Sequence, residues 1–287
     1  MIENAFSPAA PAVDLDAYFA RIGYDGPREP TLALLRAITQ KHPDAIAFEN
    51  LDVLLGKPIS LLAADVDAKL IAAGRGGYCF EQNGLLKRVL LTLGFQLQSL
   101  MARVFWMKPA DAPDRARSHM VLAVVIDGVT WLADAGFGGC VLTGPLDLFS
   151  DEIQSTPNGE FRILPAAPEL GGERLVQANL SGQWASTYQV ALGPWMDVDY
   201  EPANFFTYTH PSSHFTWSMT VGHTTPTARY ALKNNRLTHR DQTGALVEQR
   251  DLSVDELEAT LRDVIGLPVE ADWRLVLEKV VAWGTQA

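Results

Sequence analysis

Cysteine is the side chain with the most chemistry to offer here, and the chain has two, Cys79 and Cys140. Cys79 lies in Arg75-Gly76-Gly77-Tyr78-Cys79-Phe80-Glu81-Gln82-Asn83. Two glycines let the backbone turn sharply. Beyond them Leu86, Val89, Leu90 and Leu93 recur at helical spacing and Gly94 is placed to end the helix, so the cysteine falls in its first turn. A helix N-terminus carries partial positive charge, which favours a thiolate and makes it a better nucleophile at neutral pH. The same residues also fit a buried cysteine packed beside a Gly-Gly pair.

A base for that thiol is found by register. Asp127-Gly128 is a strong two-residue hairpin signal. With those residues as the turn, Ile126 faces Val129 and Asp134 lies opposite Val121. His119, two residues earlier on the same face, becomes a diagonal neighbour of Asp134. A carboxylate beside a histidine fixes its tautomer and supports the imidazolium, although a solvated pair at strand ends fits the same pattern. Cys79, His119 and Asp134 would supply an attacking sulfur, a proton acceptor and an orienter. That set recurs on unrelated folds, so it does not name the reaction. Asp134-Ala135-Gly136-Phe137-Gly138-Gly139 follows directly. Its glycines would let backbone N–H groups approach pyrophosphate oxygens or an acyl oxyanion, or they form an ordinary turn.

The elements that must position these residues fall into three stretches. Residues 1–94 read as helical: Asp14 caps a helix to Arg21, Thr31 opens one with Pro43 just beyond its end, and Ser60 opens one closed by Gly74. From Phe95 to about residue 200 the chain breaks into short β-branched and aromatic runs separated by turns such as Ser181-Gly182, which predicts antiparallel β structure. Asp197–His214, rich in Pro, Asn, Thr and aromatics, reads as a bridge. Residues 201–287 read as a β-meander, then a helix capped by Ser253 and Glu256 and ended by Gly266, then a final amphipathic helix. The domains expected are therefore 1–94, carrying the nucleophile, 95–200, carrying His and Asp, and 201–287, a lid; the fold class is α+β.

Composition narrows the function. The chain has 287 residues, 47% of them hydrophobic, and a net charge of −11. It can bury a core, and such a charge argues against nucleic acid as a partner. The longest apolar run, Met120 to Ile126, is far too short to span a membrane. The N-terminal segment does not read as a signal peptide, and two cysteines make no disulfide framework, so a cytoplasmic location is expected. His42, His210, His214, His223 and His239 show no zinc spacing, so no metal is expected. Cys140 reads as packing, Arg115 and Arg117 as solvated charges, and Trp106 as the tryptophan best placed to meet a ligand.

Arg75 to Asn83, then Ser118-His119-Met120, then Asp134 to Gly139, resemble the arylamine N-acetyltransferase family of bacterial type, over nearly the whole chain and with matching triad intervals. The resemblance implies a helical part, an antiparallel β-barrel and an α/β lid around a cysteine-protease-like Cys-His-Asp core. It implies acetyl transfer from acetyl-CoA, a co-substrate and not a bound cofactor, to arylamines, arylhydrazines or arylhydroxylamines, by a ping-pong route through a thioester on Cys79. His119 would act as base and acid and Asp134 would orient it. Phe137 would line the acceptor pocket and Phe206, in Asn204-Phe205-Phe206-Thr207, would form a wall. Ser118, Gly138 and Gly139 would lie near the coenzyme. Glu49 and Arg75 would be a supporting pair. The state expected is a monomer or homodimer. A cysteine hydrolase or a transglutaminase-like amide-forming enzyme using the same triad is the alternative.

Overall fold

The computed structural model describes residues 10–109, 111–112, 114–166, 173–193 and 195–284. Most of the N-terminal segment read for a leader, residues 1–9, lies outside them. The helices at the start are α1 (Leu15–Arg21), α2 (Leu32–Ala45), α3 (Leu51–Leu54), α4 (Ala63–Asp67, continued by a π-helical turn to Ala72) and α5 (Cys79–Thr92). Asp14 caps α1 by accepting from Ala17 N, and Thr31 caps α2 by accepting from Leu34 N. Pro43 lies inside α2 and not beyond it. In the last turn its missing N–H costs one hydrogen bond, and its ring is buried.

The barrel strands are β2 (Gln96–Val104), β3 (Arg117–Ile126), β4 (Val129–Ala133), β5 (Leu146–Asp147), β6 (Gln154–Thr156), β7 (Gly159–Pro165), β8 (Arg174–Leu180) and β9 (Gln183–Ala191). They form one antiparallel sheet in the order β5-β4-β3-β2-β9-β8-β7-β6. The sheet is nearly closed. Its two edges meet where the Gln154 side chain accepts from Asp147 N at 2.6 Å and donates to Asp147 O at 2.9 Å. Leu100, Val121, Leu132, Ile163, Val176 and Val190 fill the interior.

The second sheet has the order β1-β10-β11-β12-β13, with β1 (Phe48–Glu49) drawn from the helical stretch and β10 (Thr220–Thr224), β11 (Ala228–Lys233), β12 (Arg236–Asp241) and β13 (Leu246–Asp251) from the last third. A two-residue strand gives no periodicity, so β1 had no sequence signal. Two more helices, α7 (Val254–Ala259, continued by a π-helical turn) and α8 (Trp273–Gly284), cover this sheet through Leu257, Leu261, Trp273 and Leu277. Between the sheets the segment read as a bridge is largely helical, α6 (Asp197–Thr209), with Pro202 inside it. The helix runs through the point at which the sequence places the second domain boundary. Among the described residues no helix is long and apolar enough to cross a membrane.

Candidate active site

Cys79 is the first residue of α5. The turn before it is forced by contact. A Cβ on Gly76 would stand 2.2 Å from the Ala47 carbonyl oxygen, and one on Gly77 2.7 Å from Glu81 Oε2. Glu81 accepts from Tyr78 N at 2.9 Å and so ties down the N-terminal turn. Behind the cysteine, Leu85, Leu86, Val89 and Leu90 are fully buried, each contributing about 1.5–3 kcal/mol, and they fix the helix against the core it shares with Leu122 and Val124 of β3. Cys79 is 5% exposed and its Sγ donates to the Ser118 carbonyl at 3.5 Å.

The hairpin forms in the register expected. Ile126 faces Val129 and Leu122 faces Ala133, with Asp127 and Gly128 both at positive φ in the turn. His119 Nε2 meets Asp134 Oδ2 at 2.8 Å, both side chains buried. Cys79 acts on His119 from the other side, and its influence favours the protonated ring. With Nε2 taken by Asp134, the ring nitrogen left for the thiol is Nδ1. The second Asp134 oxygen accepts from Asn83 Nδ2 and from Gly136 N, each at 2.8 Å. Burial alone would lower the His119 pKa, but the Asp134 charge and the hydrogen bonds overcome it and hold it well above the ordinary value. Burial opposes ionisation of Asp134 too; the His119 charge and the donors from Asn83 and Gly136 nevertheless keep it below the usual carboxylate range.

Sequence reasoning passed over two side chains at this centre. Asn83 bonds Asp134, the Met120 carbonyl at 2.7 Å and Ala135 N at 2.9 Å, so it locks α5 to β3 and to the segment that follows β4. Its signal was available, since Asn83 stands four residues after Cys79 and therefore on the same helix face. Tyr188 of β9 had none. Its ring lies 5.0 Å from that of His119 and 4.9 Å from that of Phe137, and its buried hydroxyl sits beside Asp134 without a hydrogen-bond partner of ordinary geometry.

Phe137 joins the same cluster, 5.2 Å from the His119 ring, with Trp106 6.2 Å beyond it. Gly138 and Gly139 begin a short 3-10 turn. A Cβ on Gly222 of β10 would come within 2.6 Å of Gly138 C, so the glycine loop lies directly on the second sheet. Phe206 stands apart from these rings: on α6, 36% exposed, it stacks on His210 at 4.4 Å. Arg75 is 2.8 Å from Glu49 and both are buried. The sequence did not anticipate its other partners, Asp52 at 3.1 Å, Glu270 at 2.9 Å and the face of Trp273 at 4.7 Å. Arg117 is not free: it pairs with Glu173. Cys140 is buried as expected, with Arg229 Nη1 3.3 Å from its sulfur.

Residues 31–274 match the family model described as N-acetyltransferase. An arylamine N-acetyltransferase of Mycolicibacterium smegmatis is 38% identical over 93% of this chain and 99% of its own length. Another, from Escherichia coli, is 40% identical over 89% of each chain. A solved structure of the Mycobacterium marinum arylamine N-acetyltransferase in complex with CoA superposes with a TM-score of 0.87 at 36% identity, covering 93% of this chain and 98% of the other.

Proposed function

This chain belongs to the arylamine N-acetyltransferase family and is an acyltransferase, and from that premise we propose that it acetylates aromatic amines by a ping-pong route through Cys79. In the first half-reaction Sγ of Cys79 attacks the thioester carbonyl of acetyl-CoA and the thiol proton rests on His119. The tetrahedral intermediate collapses, the carbon–sulfur bond to the coenzyme breaks, and the leaving thiolate takes that proton. In the second, the amine nitrogen attacks the acetyl-cysteine, gives up a proton through His119, and Cys79 is released. Arylhydrazines follow the same course, and arylhydroxylamines accept on oxygen.

The observation that carries this reading is the buried His119–Asp134 pair, whose charge state Cys79 also influences, with the sulfur at a helix N-terminus and the acid held by Asn83 and Gly136. We read Phe137 as a wall of the acceptor pocket, Ser118 and the Gly138-Gly139 backbone as neighbours of the coenzyme, and Glu49 with Arg75 as support for the cysteine turn. Phe206 would reach an acceptor only from the α6 side. We read the chain as a helical unit, a barrel and a lid around a cysteine-protease-like core, and the protein as a cytoplasmic monomer or homodimer. The family match does not favour the hydrolase or transglutaminase-like alternative.

Steady-state kinetics with acetyl-CoA and an aniline test the reading. Parallel double-reciprocal lines, with one coenzyme thiol released per N-acetylated product, are expected. Intersecting lines, or thiol release without acetylated amine, would count against it.

A further inference from the structure

Beneath the nucleophile's turn lies a group of charges that takes no direct part in acetyl transfer. Lys69, in the π-helical turn after α4, is 2.8 Å from Glu81 Oε1 and 2.7 Å from Asp52 Oδ2. Glu81 is 2% exposed, and its other oxygen is the acceptor for Tyr78 N. Gly77 has no side chain where Glu81 needs the space. The cysteine turn is thus built around a carboxylate, and the cation paired to that carboxylate comes from a different element. A cavity of about 290 Å³ lined by Asp52, Ser60, Asp65, Lys69 and Glu81 adjoins the group.

We propose that Lys69 is a positioning residue for Cys79: its pairing keeps an ionised Glu81 seated under the first turn of α5, so that the turn holds the thiol toward His119. The proposal rests on Cys79 being the nucleophile. A charged acceptor holds a backbone N–H about twice as strongly as a neutral one. A buried carboxylate without a partner instead takes up a proton or strains the structure around it. Among the described residues the groups facing Glu81 leave no substitute for Lys69. Glu49 of β1 opposes its ionisation, Asp52 and Asp65 on the cavity wall are themselves acidic, and Arg75 is engaged by Glu49, Asp52 and Glu270. Burial holds the Glu81 pKa above the ordinary carboxylate value, and the Lys69 charge is the main influence opposing it.

The sign follows. Without Lys69, the Glu81 pKa rises further. Below that value the site is neutral and tolerable. Above it an unpaired anion sits two residues from the thiol, so Cys79 reactivity is lost as pH rises. The test is the alkylation rate of Cys79 by iodoacetamide, followed by peptide mass across about pH 6 to 8.5, with acetylation by acetyl-CoA measured in parallel. Lys69→Met is expected to slow both by about tenfold at the alkaline end, with the gap closing toward acid. Lys69→Arg is expected to follow the wild type, and Lys69→Met with Glu81→Gln to lose the added pH dependence. A Lys69→Met profile parallel to wild type, or a pH-independent loss that Glu81→Gln does not relieve, would overturn the proposal. Alkylation that behaves as expected while acetyl-CoA leaves no acetyl group on wild-type Cys79 would sink the proposed function and leave the lysine's role standing.

Discussion

His119 commits Nε2 to Asp134 at 2.8 Å, and Cys79 adds to the charge that favours its protonated form. The consequence is a histidine that keeps its proton well above its ordinary range and an aspartate that loses its proton below its own. The linkage has opposite signs at the two ends. The His119 contribution to stability is complete below its unfolded value and is lost as pH rises through the raised folded value. The Asp134 contribution is complete above the ordinary carboxylate value and is lost as pH falls through the lowered one. The pair therefore supports the fold best between those limits. Asp134→Asn removes the charge that raises His119. Its imidazole resonances are expected to titrate at lower pH by NMR, the alkaline limb of Cys79 acetylation to move down with them, and the rate at neutral pH to fall by about 10²–10⁴-fold. An unmoved titration would mean that Asp134 does not set the charge of His119.

Three elements meet at this centre: the N-terminus of α5, the β3–β4 hairpin and the glycine loop behind it. Gly136 is where the glycine loop presses against the start of α5. A Cβ there would stand 2.8 Å from both Cys79 Cα and Asn83 Nδ2. The first of these is backbone and cannot swing aside. Gly136→Ala is expected to cost about 1–3 kcal/mol of stability in denaturant unfolding and to cut acetylation of Cys79 more than it raises KM for the donor. At this scale the sequence was most readable where one residue type dictates local geometry. Asp127-Gly128 set the hairpin register, and with it the meeting of His119 and Asp134. Asp14, Thr31 and Ser253 marked helix starts that the caps reproduce. The sequence was least readable where geometry comes from elements distant in the chain. Tyr188 reaches His119 by the pairing of β9 with β2, which no local pattern encodes. Asp197–Thr209 looked irregular because Pro202 and several aromatics break a helical pattern, yet packing supplies what propensity lacks, with Tyr200 and Asn204 buried against the helical core. The family resemblance was legible in three short motifs; the placement of Phe206 was not, since it depends on which face of α6 turns inward.

Across the whole molecule, Arg75 joins what the sequence separates. It binds Glu49 on β1 and Asp52 on α3, reaches Glu270 ahead of α8, and lies over Trp273 at the start of that helix. Both the cysteine turn and the last helix hang on one buried guanidinium. Arg75→Met leaves Glu49 unpaired in a buried site and is expected to lower the unfolding free energy by about 3–5 kcal/mol; hydrogen exchange should rise in α8 as well as at the start of α5. Exchange confined to residues near Cys79 would show that the two ends are not coupled through this residue. The most direct test of the account as a whole is the mass of the intact protein after mixing with acetyl-CoA and no acceptor, followed by peptide mapping. One acetyl group on Cys79, none on Cys140, and its complete discharge on adding an aromatic amine is the predicted result. An unmodified Cys79, or an acetyl group that aromatic amines fail to remove, would contradict it.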